Sequence, residues 1–409
     1  MNNNYNYNRT GVQNGYNPPV YNNQIPSNMG NGNFNYSHNN HYNPHTQTPN
    51  MGASFTPNCG YGSVNATQQT GYYAPYNPWN SAEEKEKIQK SNERRVLRKT
   101  SNRIGGGLMI FAIISELIVF LFMIPLAFTG AVDQSYAVGI EPVTMYILNA
   151  ILCLIGFGIT GIFITKSNSL RMDDVIQIKK TNIADTAKLV IAGMCFTYVF
   201  NILLTFMNIN LSLFGYENEM SDYGEINGFW GNVIYFIAVA IIPPIIEEFL
   251  FRGAILGSLR KKHGDAVAII VSSVLFGLAH ANFVQTPVTF LSGLVMGYLA
   301  VKTNSIVTPM ILHCVNNSIA VISEILLITV DNEQIYNIID ISIALFFLVI
   351  GFLCVISLFK KHKNDLFAFD KQETKLNMSN TLISIFTAPW MIVYIIYSII
   401  MCIYSSIMV

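Results

Sequence analysis

Residues 229–258 read FWGNVIYFIAVAIIPPIIEEFLFRGAILGS. From Phe229 to Ile246 the run contains no Asp, Glu, Lys or Arg. A helix rises about 1.5 Å per residue and needs roughly 20 mainly apolar residues to cross a bilayer. The stretch therefore predicts a membrane span. Pro243 and Pro244 interrupt it, and because proline removes helix hydrogen bonds and crowds the preceding turn, a kink is expected there. Glu247, Glu248 and Arg252 then follow inside apolar sequence. A charge near the bilayer centre costs roughly 2.5–3.5 kcal/mol on insertion scales, which makes intramembrane ionisable groups functional-site candidates by default.

Working outward, comparable runs occupy 107–128, 143–165, 188–209, 265–282, 287–301, 305–327, 338–359 and 386–408. The fold class that follows is all-α, a polytopic transmembrane bundle of eight or nine spans, the run at 386–408 deciding which. Composition agrees: the 409 residues are 51% hydrophobic and 12% charged, against about 25% charged in soluble domains. The short run at 287–301 carries Gly293 and Gly297, a small-residue face for close helix contact. Formal net charge is zero, so no bulk attraction to nucleic acid is expected. Cys153, Cys195, Cys314, Cys354 and Cys402 lie in apolar runs without paired metal-ligand spacing, which reads as packing.

Five segments result: an Asn/Tyr/Gly-rich tail at 1–82, a basic juxtamembrane segment at 83–104, amino-terminal spans at 105–227, a core at 228–327 and carboxy-terminal spans at 328–409. The tail buries too little apolar area to offset chain entropy and is expected to be disordered. The spacing of its His38, His41 and His45 does not make a dedicated metal site. The first span begins too far along for a conventional cleaved signal peptide. Basic residues alternate by loop: Lys166, Arg171, Lys179 and Lys180, then Arg260, Lys261 and Lys262, then Lys302, then Lys360, Lys361 and Lys363. The intervening loops carry Asp133, Glu141, Glu217, Glu219, Asp222, Glu225, Asp331 and Glu333 and no Lys or Arg. By the positive-inside rule the amino terminus is cytoplasmic.

Two further spans carry deep polar groups, one within Phe276 to His280 and the other within His313 to Asn317. Residues four apart share a helix face, whereas adjacent ones diverge by about 100°. Glu248 is thus set to pair with Arg252 while Glu247 points elsewhere into the bundle, where a carboxylate suits general-base work. His313 and Asn317 share a face, and two donors there can stabilise an oxyanion. Counted from the nearest basic loop, Glu247, His280 and His313 lie at depths of roughly 20, 24 and 16 Å on the helical rise. Taken singly, the acid pair with its arginine reads equally well as a structural ion pair, and a lone His or Asn as interhelical glue. The functional reading rests on the set.

That set resembles the CPBP family of CAAX prenyl endopeptidases and bacteriocin-processing or immunity enzymes, also called Abi. The residues Glu247, Glu248 and Arg252 match its Glu-Glu-x-x-x-Arg motif, Phe276 and His280 its Phe-x-x-x-His motif, and His313 and Asn317 its His-x-x-x-Asn motif. The resemblance covers about 229–325 and implies an intramembrane endopeptidase, with the bacterial plasma membrane as its location. It implies that Glu247 and His280 activate the attacking water and that His313 and Asn317 stabilise the tetrahedral oxyanion. Glu248, Arg252 and Phe276 would then support the site. Partners implied are the lipid bilayer and a membrane-associated protein or peptide substrate. No cofactor is favoured. Zinc held by Glu247, His280 and His313 is the alternative, disfavoured because Asn317 beside His313 fits oxyanion donation better than ligation. Two other functions compete: a non-catalytic immunity or scaffolding protein that only binds its partner, and a proton-coupled transporter, whose paired interrupted helices the sequence lacks.

Overall fold

The computed structural model describes residues 82–129, 142–179, 182–212, 226, 228–330, 332–361, 363, 368–370 and 374–407. The expected disordered tail and most of the acidic loops lie outside these residues. Among those described, regular structure is helical throughout, with no strand. Eleven helices follow in order: α1 (Ala82–Thr129), α2 (Pro142–Ser167), α3 (Met172–Val175), α4 (Ile183–Ser212), α5 (Phe229–His263), α6 (Asp265–Ala279), α7 (Gln285–Thr303), α8 (Val307–Thr329), α9 (Glu333–Lys361), α10 (Met378–Phe386) and α11 (Pro389–Ile407). Helices α1, α2, α4, α5, α8 and α9 are long and apolar enough to cross a membrane. The α10–α11 pair, bent by 74°, makes a seventh candidate. All nine expected runs are therefore helices, but 265–282 and 287–301 form a shorter hairpin, α6–α7. The chain is a polytopic integral membrane protein.

The bundle turns its apolar side chains both ways, as a bilayer solvent permits. Leu97, Ile104, Leu108, Phe251, Leu275 and Phe276 are buried in the main core. Leu203, Phe206, Leu345, Phe352 and Ile396 are exposed on the outer face of their helices. The basic loops meet at one end. Arg260 Nε bonds Asp265 Oδ1 at 2.7 Å and its Nη1 bonds Asn304 Oδ1 at 2.7 Å, tying the α5–α6 turn to the α7–α8 turn. Lys261 pairs with Asp174 at 2.6 Å and Lys361 with Asp185 at 2.8 Å. Gly264 makes the α5–α6 turn at φ 83°, a left-handed conformation that side chains other than glycine rarely adopt.

The long span α5 is where local sequence matters most. Its regular turns are broken by two π-helical stretches, Ile237–Ile241 and Phe249–Ile255, on either side of the segment holding Pro243, Pro244, Glu247 and Glu248. Pro243 has no N–H to offer the carbonyl four residues back, so the Val239 oxygen is left to find another donor. The Asn317 side chain supplies it, Nδ2 to Val239 O at 3.3 Å. Helices α6 and α7 pack closely through glycine. A Cβ on Gly277 would lie 2.8 Å from the Thr286 carbonyl, and one on Gly293 3.1 Å from Ser273 Cα. Gly297 faces Ile269 in the same manner.

Candidate active site

The three motifs converge. Glu247 (α5), Phe276 and His280 (end of α6), and His313 and Asn317 (α8) line one cavity of about 410 Å3, with α4 and α7 forming its remaining walls. Glu248 and Arg252 lie behind it, fully buried, their Oε1 and Nη1 atoms 2.8 Å apart. The expected i,i+4 pair is therefore formed. Arg252 Nη2 also donates to the Gly293 carbonyl at 3.3 Å, and its guanidinium lies 4.4 Å above the centre of the Phe276 ring. Glu248 Oε2 and Arg252 Nε have no hydrogen-bond partner among the described residues.

Phe276 does more than pack. Its ring is the hub of the site, edge-on to His280 at 4.9 Å, to His313 at 5.7 Å and to Phe251 at 5.1 Å between centroids. The two imidazoles that sequence spacing could not relate thus flank a single phenyl ring.

Backbone geometry at the end of α6 orients His280. The last carbonyls of a helix lack intrahelical donors. Here the His280 N–H turns to Gly277 O at 3.2 Å, leaving Phe276 O to the His280 ring, whose Nδ1 is 2.9 Å away. A carbonyl only accepts, so Nδ1 carries the proton and Nε2 of the neutral ring keeps its lone pair. The turn that follows is held by Asn282, whose Oδ1 accepts from Val284 N at 2.9 Å and Gln285 N at 3.0 Å.

His313 is bound between the two acids. Its Nδ1 is 3.0 Å from Glu248 Oε1, and its Nε2 is 3.7 Å from Glu247 Oε2. This contact went unforeseen because nothing in spacing along one chain relates Glu248 to a residue 65 positions away. It changes the chemistry expected of His313. With Nδ1–H donated to Glu248, Nε2 donates only when the ring is doubly protonated. In that form the group of Glu247, Glu248, Arg252 and His313 is neutral as a whole. Asn317 is also committed in part: one amide N–H goes to Val239 O, and its Oδ1 accepts from Asn316 Nδ2 at 3.3 Å. The second N–H of its Nδ2 is not used in those bonds.

The zinc alternative can be tested against this arrangement. The bonds from both Nδ1 atoms, to Phe276 O and Glu248 Oε1, resemble those that orient metal-ligating histidines. Among the described residues, however, no three His, Cys, Asp or Glu side chains converge with geometry able to hold a metal ion.

Sequence reasoning passed over three intramembrane acids. Glu324 of α8 accepts a hydrogen bond from Tyr235, Glu116 of α1 accepts from Tyr397 Oη at 2.9 Å, and Asp340 of α9 pairs with Ser323 Oγ at 3.4 Å. Each has a hydroxyl partner rather than a cavity. Each lies inside a run that the sequence marks as a span, so the cost of a charge in the bilayer was a local signal for all three; their hydroxyl partners, on other helices, were not visible there.

A span interrupted by π-helical turns and bearing an acid pair is thus combined with two imidazoles and an amide from adjoining helices around one intramembrane cavity. Residues 229–319 match the family described as Type II CAAX prenyl endopeptidase Rce1-like. Over 99 residues it is 37% identical to the membrane-embedded CAAX protease MroQ of Staphylococcus aureus (strain USA300), covering 23% of this chain and 40% of MroQ. It is 33% identical over 89 residues to the protein YdiL of Bacillus subtilis (strain 168), covering 22% of this chain and 36% of YdiL. It is 30% identical over 120 residues to the UPF0177 protein YxdF of Lactococcus lactis subsp. lactis (strain IL1403), covering 29% of this chain and 66% of YxdF. The match thus spans about two fifths of the length of the first two relatives. No solved structure matches the chain significantly.

Proposed function

We propose that this chain is an intramembrane endopeptidase that hydrolyses a peptide bond of a membrane-associated protein or peptide. The observation that carries the reading is that the Glu247 carboxylate lines the same cavity as an imidazole whose Nδ1 is tied to Phe276 O. Glu247 and His280 Nε2 are acceptors, and a water between them would lose a proton as its oxygen attacks the scissile carbonyl carbon. The negative charge then forming on the carbonyl oxygen needs donors. Asn317 offers its remaining N–H, and His313 offers Nε2–H in its doubly protonated form. Collapse of the tetrahedral intermediate breaks the C–N bond, and the proton taken from water passes to the leaving amine. Glu248 and Arg252 hold His313 in place, and Phe276 sets the spacing of the two rings.

No step is routed through a metal. Elemental analysis of the purified protein tests this, since stoichiometric zinc lost together with activity would reverse the assignment of His280 and His313 from proton acceptor and donor to ligands. The amino terminus on the cytoplasmic side, in a bacterial plasma membrane, is part of the same proposal and rests on the loop charges.

The deciding experiment is proteolysis in liposomes with the wild type and Glu247→Gln. Gln keeps the shape of the side chain and removes the base. The turnover rate is expected to fall at least about 100-fold, in line with a general base worth 10²–10⁴, with unchanged folding. Full cleavage by Glu247→Gln would exclude the mechanism.

A further inference from the structure

One wall of the cavity is unlike the rest of the bundle. On α4, Thr197, Asn201 and Asn208 project into it while Leu203 and Phe206 of the same helix are exposed on the opposite side. Their spacing of four and seven keeps them on one face. Across the cavity α7 presents Gln285, Thr289 and Ser292, again on one face. Hydrogen-bonding side chains in a membrane interior are costly unless they meet partners. Thr289 Oγ1 bonds back to its own helix, to Gln285 O at 2.8 Å. Asn208 Oδ1 has no hydrogen-bond partner among the described residues.

The wall also has a direction. Helix α6 is 15 residues long and α4 is 30, roughly 22 and 45 Å on the helical rise. Both start at the end of the bundle where the basic loops meet. The α6–α7 turn therefore stops near the level of His280, and the α4 face continues past it. Thr197 lies about 21 Å and Asn208 about 38 Å along α4 from its start. The cavity leads from the acid pair toward the end opposite the basic loops.

We propose that this amide and hydroxyl wall is the substrate-binding subsite of the peptidase, and that it takes an extended peptide segment entering from the face opposite the basic loops. An extended backbone presents unpaired N–H and C=O groups at every residue, and Asn and Gln side chains answer both with one group. A helical substrate would bring its backbone bonds already satisfied and leave Asn208 Oδ1 without a partner among the described residues. The assignment rests on the peptidase reading above and adds the conformation of the substrate and its side of entry.

Two measurements on the full-length chain test it. In liposomes, with an anchored reporter whose unstructured segment lies on the side opposite the basic loops, Asn201→Leu, Asn208→Leu and Gln285→Leu are each expected to raise KM about 3- to 10-fold. That range corresponds to one lost neutral hydrogen bond, and kcat should stay within about twofold, the pattern of lost substrate binding rather than lost chemistry. Leu203→Ala, on the lipid face, should change neither. In sealed vesicles, Asn208→Cys should react with a membrane-impermeant maleimide from the side opposite that which labels Lys361→Cys, and the reporter should slow that reaction. Unchanged KM in all three Leu variants of an enzyme that cleaves the reporter would overturn the subsite alone. Labelling of Asn208→Cys from the same side as Lys361→Cys would overturn the direction of entry. A wild type that cleaves no peptide would overturn the peptidase reading and the substrate with it, while the labelled side would still show where the cavity opens.

Discussion

Replacing Arg252 by Met removes the guanidinium paired with the buried Glu248 while keeping much of the side-chain volume. Both side chains of the Arg252–Glu248 pair are at 0% exposure, so solvent screening does not discount the interaction. Breaking one partner of a buried ion pair typically costs 3–5 kcal/mol, because the other charge is left without compensation. Loss of the stack on Phe276 at 4.4 Å adds a further part, about 0.5–2 kcal/mol for a cation over an aromatic face. Against this, Glu248 Oε2 and Arg252 Nε already lack partners among the described residues, and His313 Nδ1, 3.0 Å from Glu248 Oε1, is untouched by the substitution. The net expectation is a loss of about 3–4 kcal/mol, toward the lower end of the range for a broken buried pair. Adding Glu248→Gln to Arg252→Met removes the orphaned charge and should restore at least about 2 kcal/mol, a coupling of the size seen for contacting residues. Unfolding in mixed micelles, followed by fluorescence of the three tryptophans, measures both terms. Losses that simply add, within about 0.5 kcal/mol, would refute the claim that the pair acts as one buried unit.

Three other substitutions bear on the same arrangement. Asn317→Ala strips the donor from the carbonyl that Pro243 leaves open; an unsatisfied buried acceptor costs about 1–3 kcal/mol, so a lower melting temperature and a lower kcat should appear together. Gly277→Ala puts a Cβ 2.8 Å from the Thr286 carbonyl oxygen; with backbone on both sides the α6–α7 hairpin must open, at a cost of about 1–3 kcal/mol for overpacking, and kcat should drop because His280 is three residues away. The Lys261 ammonium, through its hydrogen bond, holds the Asp174 carboxyl below the ordinary carboxylate range. A depressed acid contributes stability above its unfolded value, near 3.9, and loses it as pH falls through the folded one. The α3 tether should thus be insensitive between pH 6 and 8 and loosen only below about pH 4, and Asp174→Asn should remove that acid dependence in proteolytic protection of the α2–α4 connection.

How much of this was readable beforehand differs by feature. The helix runs were plain because about 20 apolar residues in sequence have few other uses. The i,i+4 relation between Glu248 and Arg252 was equally plain, since helix geometry alone decides it. The run at 287–301 was already short in the sequence, but that it pairs with 265–282 as a hairpin was not readable there. Apolarity reports the solvent around a helix and not how far the helix reaches across it. Asn317 was read as an oxyanion donor from its offset to His313, yet one of its N–H groups belongs to the defect that Pro243 creates 74 residues earlier. The α4 wall was missed because three polar residues spread over twelve positions look like ordinary tolerance in a long span.

The sequence by itself determined what enters the membrane, where the regular turns of α5 are interrupted and which side chains pay the cost of being there, because local geometry and solvent transfer act on neighbouring residues. Only tertiary structure decided that His313 lies between two carboxylates, that His280 presents Nε2, and that Phe276 separates the two rings. Those facts depend on the positions of three helices relative to one another. Packing around Gly277 and Gly293 and the donor that Val239 needed set those positions, and neither is visible along a single helix.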